Sequence, residues 1–167
     1  FANLYFATRY LMPMEETHMD IQKIISLVTK TQGLIKNREM AAHVKEKGLA
    51  DYVTQVDIAV QNFLKKELFA LAPDIQFLGE ETGLQEIKAD SFWILDPVDG
   101  TTNLMHDYQH SVVSLALCRQ GDIIMGIIYD PFRDEVFSAI KGKGSFLNGQ
   151  PIHVSNAEKL SDTMIGL

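Results

Sequence analysis

The chain has 167 residues, 46% of them hydrophobic, which is enough for one ordinary domain with a buried core. Its formal net charge of -7, from 15 Lys and Arg against 22 Asp and Glu, excludes a partner held by generalised attraction, whether nucleic acid or an anionic membrane. No apolar run approaches the ~18 residues of a membrane span, and the single cysteine, Cys118, makes no internal disulfide and is compatible with a reducing, cytoplasmic setting.

Phe1 to His18 mixes aromatic residues and methionine without clear period, and Asn3-Leu4-Tyr5-Phe6 resembles part of a protease-cleavable expression linker. Residues 1–18 are therefore read as an expression remnant or leader, and residues 19–167 as the folded domain. Ile21, Ile24, Ile25, Val28 and Ile35 recur at helical spacing and predict a helix from about Asp20 to Val44, weakened only at Gly33. The polar stretch Lys45 to Ala50 reads as a loop carrying two lysines. A second helix opens at Thr54, because Thr54-Gln55-Val56-Asp57 has capping spacing and Val60, Phe63, Leu64, Leu68 and Leu71 follow on one face; Pro73 ends it.

Beyond Pro73 the pattern changes to short runs of branched and aromatic residues: 75–78, 92–95, 112–118, 123–129, 135–140 and 144–147. Gln120-Gly121-Asp122 and Asn148-Gly149 are tight-turn sequences between them. A helix pair followed by a hairpin-rich sheet predicts an α+β fold on a predominantly antiparallel sheet. Cys118 falls in one of these runs and is expected to be a buried structural thiol.

The segment Trp93 to Leu104 carries the most chemistry. An apolar strand ends abruptly in Asp96 and Asp99, separated by Pro97 and Val98. Hard divalent cations take oxygen ligands, and two carboxylates with the Val98 carbonyl are such a set. Gly100, Thr101 and Thr102 follow with backbone N–H groups where a helix could begin, a cradle for phosphate. The plainer alternative is a strand, an Asp-rich turn and a capped helix. Glu80 and Glu81 end another predicted strand and meet the Asp cluster if both strand ends lie on one side of the sheet; alone, a Glu pair is a solvated loop. Asp57 either joins the same site or only complements a helix dipole. His106 and His110, four apart, are read as loop histidines rather than metal ligands, and Trp93 as core.

Taken together and in order, Asp51-Tyr52-Val53-Thr54 with Asp57, Gly79-Glu80-Glu81, and Trp93 to Leu104 resemble the inositol monophosphatase family of Mg-dependent, lithium-sensitive phosphatases. Lys141 to Gly149 resembles the family's basic hairpin, and the match runs from roughly Asp20 to the end. The resemblance implies the first half of a layered sugar-phosphatase fold that hydrolyses a phosphate monoester of a polyol or sugar, inositol monophosphate foremost. It implies that Glu81, Asp96 and the Val98 carbonyl hold one Mg, and that Asp96 and Asp99 share a second. Glu80, Asp57 and Thr101 would hold the attacking water, and Gly100, Thr101 and Asp99 would face the substrate. Lys45 and Lys47 both bracket the place of a family lysine. A homodimer and lithium inhibition follow from the same resemblance, with no nucleic-acid or membrane partner.

Family members carry a second α/β half with a further aspartate in a Trp-Asp-x-Ala-type segment, and no such segment occurs here. These residues alone are therefore expected to hydrolyse little or nothing. The rival expectation is a non-catalytic metal-binding or scaffold protein derived from the same fold.

Overall fold

The computed structural model describes residues 19–48, 51–82 and 86–164. The expectation for residues 1–18 lies outside them. The predicted first helix is instead three short ones: α1 (Ile21–Thr29), α2 (Gln32–Ile35) and α3 (Arg38–Ala42). Local polar groups divide the apolar stripe. The buried Thr31 hydroxyl donates to the Val28 carbonyl at 2.7 Å, just after α1 closes on Lys30. Asn37 then caps α3 by accepting the Met40 N–H at 3.1 Å. Each side-chain bond offers the backbone an alternative to continued helix. Ile24, Val28 and Ile35 still reach one core, so the apolar spacing marks burial correctly while overstating continuity.

The predicted lysine loop is also corrected. Val44–Gly48 forms β1, paired antiparallel with β2 (Asp51–Thr54) through Val44↔Thr54 and Lys45↔Val53. Its exposed charged residues conceal the strand, because a two-stranded ribbon gains its hydrogen bonds from pairing and needs no apolar alternation. Lys45 is exposed on β1.

The helix expected at Thr54 is α4 (Gln55–Leu71), capped by Thr54 with Asp57 reaching back in a capping box, and it closes on Ala72 just before Pro73. Its Val56, Val60, Leu64 and Leu68 are fully buried. The sheet follows as β3 (Gln76–Gly79), β4 (Ser91–Asp99), β5 (Val112–Arg119), β6 (Asp122–Asp130), β7 (Glu135–Ile140), β8 (Gly144–Leu147) and β9 (Gln150–Ile152), in that spatial order. Among the described residues only β3 and β4 pair in parallel. The last short strand, β9, was not expected from the sequence. It exists because Asn148 and Gly149, at φ 48° and 77°, turn β8 directly back on itself.

Alternate residues of the central strands face the helices. Trp93 and Leu95 on β4, Val113, Leu115 and Leu117 on β5, and Ile127 and Tyr129 on β6 are buried in one core with residues of α1, α2 and α4. Trp93 is core, as expected, although its indole N–H lacks an acceptor among the described residues. Cys118 is buried and free. On the opposite face Ile94, Ile128 and Phe137 are exposed.

This two-layer packing makes α4 the central helix of the core. Truncating one of its fully buried leucines removes transfer energy and leaves a cavity. Leu64→Ala is expected to cost about 2–5 kcal/mol of stability, read as a lower midpoint in urea with an unchanged slope.

Candidate active site

The parallel pairing of β3 with β4 puts Gly79 beside Leu95, so both strands leave the sheet at the same edge. The residues that follow them are acids: Glu80 and Glu81 in a single 3-10 turn (Glu80–Thr82), and Asp96 at the end of the regular pairing of β4. The condition set for the Glu pair, that both strand ends share one side, is therefore met. The ladder to β5 shifts register between Asp96 and Asp99, so Pro97 and Val98 depart from regular pairing where the acids project.

Asp96 shows the consequence of crowding. Its pKa is pushed up to about 7, first by burial, then by the charges of Glu80 and Asp99 and by a hydrogen bond shared with the Glu80 side chain. The Val98 N–H, donating to Asp96 Oδ1 at 3.1 Å, opposes this. Asp99 itself is exposed at the rim.

The second group of residues is built by α4. Asp57 is 2% exposed and its two carboxylate oxygens do different work. Oδ2 accepts from the Thr54 backbone N–H at 2.8 Å and from the Thr54 hydroxyl at 2.5 Å, completing the helix cap. Oδ1 accepts from the Thr101 hydroxyl at 3.0 Å, across 44 residues of sequence. Asp57 thus caps the helix through one oxygen and reaches Thr101 through the other. The Thr101 hydroxyl also lies 3.0 Å from the Val98 carbonyl. Because it has one proton to donate, it serves one acceptor fully at a time.

Gly100 links strand to site. At φ +89° it turns β4 into α5 (Thr101–Met105), and a Cβ there would meet the His110 carbonyl at 3.0 Å. Ser111 Oγ donates to the Gly100 carbonyl at 2.8 Å, and Asn103 Nδ2 to the His110 carbonyl at 2.8 Å, pinning the turn. His110 contributes its backbone, and its ring stands edge-on to Tyr108 at 6.0 Å. His106 and His110 are both exposed, in keeping with loop histidines.

One residue absent from the sequence reading also shapes the site. Gln61, buried in α4, accepts the Glu81 N–H at 3.0 Å, and Gly79 lies directly beneath its side chain. The available signal was a polar residue one helical turn after Asp57 on the buried face of α4. Among the described residues no group of three or more His, Cys, Asp or Glu side chains stands close enough to grip a metal as arranged. The donor chemistry nevertheless fits a hard cation: oxygen only, anionic, and crowded enough that Asp96 retains a proton near neutrality.

A carboxyl with a raised folded-state pKa favours the fold while protonated. That contribution is complete below the unfolded value near 4 and is lost as pH rises through about 7. With divalent cations chelated, the melting temperature should fall between about pH 5 and about pH 8, and Asp96→Asn should flatten this segment of the profile. Thermal unfolding followed by circular dichroism checks both.

Comparison with known proteins places the sequence and the fold. The sequence profile of the inositol monophosphatase family matches residues 11–166. The inositol-1-monophosphatase of Rhizobium meliloti (strain 1021) is 42% identical over 126 residues, covering 74% of this chain and 47% of that protein. The crystal structure of staphylococcal inositol monophosphatase-1 in an inhibitory complex soaked in LiCl superposes with a TM-score of 0.78 at 29% identity, covering 87% of this chain and 57% of that one. An IMPase/NADP phosphatase complexed with Mg2+ and phosphate gives a TM-score of 0.75 at 29% identity over 84% of this chain and 55% of that one. The chain spans about half the length of the curated relatives it matches. The α+β fold and the family profile agree, and the chain belongs to the inositol monophosphatase family.

Proposed function

We propose that residues 19–167 form the metal-binding half of a phosphoric monoester hydrolase acting on inositol monophosphate or a related polyol or sugar phosphate. The carrying observation is the Thr101 hydroxyl, held by the buried Asp57 carboxylate at the edge where Glu80 and Asp96 meet. A scaffold that used acids only to bind a cation would have no evident need for a hydroxyl oriented in this way.

Glu81, Asp96, Asp99 and the Val98 carbonyl are the groups that would hold magnesium. When bound, magnesium would neutralise charge on the phosphoryl group and lower the pKa of water. The chain's own residues do the rest. If Thr101 commits its proton to Asp57, the Val98 carbonyl is left available as a ligand and the Thr101 oxygen is left to accept a hydrogen bond from water. Water then forms the new bond to phosphorus as the ester bond breaks, and the departing polyol oxygen takes up a proton from solvent water to leave as the alcohol. The attacking water's proton passes to Glu80 or, through the Thr101 oxygen, toward Asp57. The Gly100 and Thr101 amides face phosphate oxygens, and Asp99 at the rim faces the substrate.

The staphylococcal LiCl complex supports including lithium inhibition in the proposal, and the Mg2+ and phosphate complex supports magnesium. Cytoplasmic residence and a homodimer belong to it as well. No helix among the described residues is long and apolar enough to cross a membrane. Because the relatives are about twice as long, turnover by these residues alone is proposed to be slow.

The test is phosphate release from inositol 1-phosphate, with and without Mg2+, by wild type, Asp96→Asn and Thr101→Val. Release that needs Mg2+ and falls on the order of 100-fold or more in either variant, with circular dichroism unchanged, supports the proposal. Metal-independent release, or full activity in Asp96→Asn, sinks it.

A further inference from the structure

Gln61 is 4% exposed within a seventeen-residue helix whose other buried residues, Asp57 excepted, are apolar. A buried amide left without partners costs about 1–3 kcal/mol, so its bond identifies its purpose. Its Oε1 accepts the N–H of Glu81, the residue following Glu80 in the acidic turn. The space around this bond is equally specific. A Cβ on Gly79 would stand 2.1 Å from Gln61 Oε1, 2.6 Å from its Cδ and 2.9 Å from Phe77 Cε1. Gly79 is not among the residues with positive φ, so its backbone does not demand glycine. The Gln61 side chain does, because it occupies the volume a side chain at 79 would take.

We propose that Gln61 is a positioning residue, seated on the bare Cα of Gly79, that sets where the Glu80–Glu81 turn presents its carboxylates. Its importance for catalysis rests on the hydrolase reading above. Asp57 and Gln61 are four apart and therefore lie on one face of α4, about one helical pitch from each other. The first holds Thr101 at the end of β4, and the second holds the turn at the end of β3. One rigid helix thus fixes the spacing between the water-facing hydroxyl and the acids opposite it. Strand pairing alone does not reach this far, since the β3 ladder stops at Gly79↔Leu95.

The experiment measures amide hydrogen exchange at Glu81 together with Mn2+ binding, on the 167-residue protein and its variants. Gln61→Met keeps length and apolar packing but removes the acceptor. Gln61→Glu keeps an acceptor at the same reach. Gly79→Ala displaces the amide without altering the helix. The expected result is exchange at Glu81 faster by at least about tenfold in Gln61→Met and Gly79→Ala, near wild type in Gln61→Glu, and unchanged at the centre of α4. Mn2+ affinity should weaken about tenfold in Gln61→Met, the lower end for losing a group that orients a ligand. Slow exchange at Glu81 in a folded Gln61→Met or Gly79→Ala protein overturns the proposal. A wild type that binds no Mn2+ removes the metal reading instead, while exchange at Glu81 still decides the role of Gln61.

Discussion

One strand pairing determines where the acids meet. All other neighbours in the large sheet run antiparallel, but β3 lies parallel to β4, so both chains leave the sheet at one edge. Had β3 run the other way, Glu80 and Glu81 would open at the end of the sheet where β4 begins, some nine residues of strand away from Asp99. Parallel neighbours need a connection long enough to return across the sheet. On the approach to β4, Gln76 of β3 holds the incoming chain through the Glu86 carbonyl and the Lys88 N–H.

Helix α4 converts this shared edge into a site. It is rigid because the same buried face continues into the core, where Val60, Leu64 and Leu68 pack. Its first turn and the turn after it supply Asp57 and Gln61, each spent on a backbone or hydroxyl group of a different strand end. Hydrogen bonds from a packed helix hold loop residues more tightly than the loops hold themselves. Gly100 and Gly79 serve the same arrangement for different reasons. The first supplies a left-handed turn, whereas the second makes room for an amide.

Elements whose signal is local were legible in the sequence. The cap at Thr54, the termination before Pro73 and the strands 135–140 and 144–147 each follow from a residue type whose preference is set within a few positions. The first helix was misread because apolar spacing reports a buried face and not an unbroken backbone; Thr31 and Asn37 redirected the hydrogen bonds. β1 escaped because Lys45 and Glu46 carry no apolar alternation and the strand exists only through its partner. At the site, the family resemblance joins Asp57, Glu80 and Thr101, but local pattern does not, since the contact between Asp57 and Thr101 spans 44 residues. Gln61 was harder still. Its meaning lies in the backbone of Glu81 and in the missing side chain of Gly79, and no pattern along α4 states either.

The acidity of the chain follows from the same geometry. A net charge of -7 disfavours approach of a phosphate ester, and the crowded acids at the strand ends sharpen that repulsion locally. The fold responds to its own crowding by keeping Asp96 protonated up to about pH 7. A proton is the smallest cation available to such a cluster, and it relieves only one carboxylate. A divalent ion relieves several at once while presenting positive charge outward, so the arrangement that disfavours the empty acids also favours cation and anion together. On the proposed reading, electrostatic strain among Glu80, Asp96 and Asp99 is what a bound cation would relieve, and α4 keeps the strain from dissipating by holding the acidic turn and Thr101 in place.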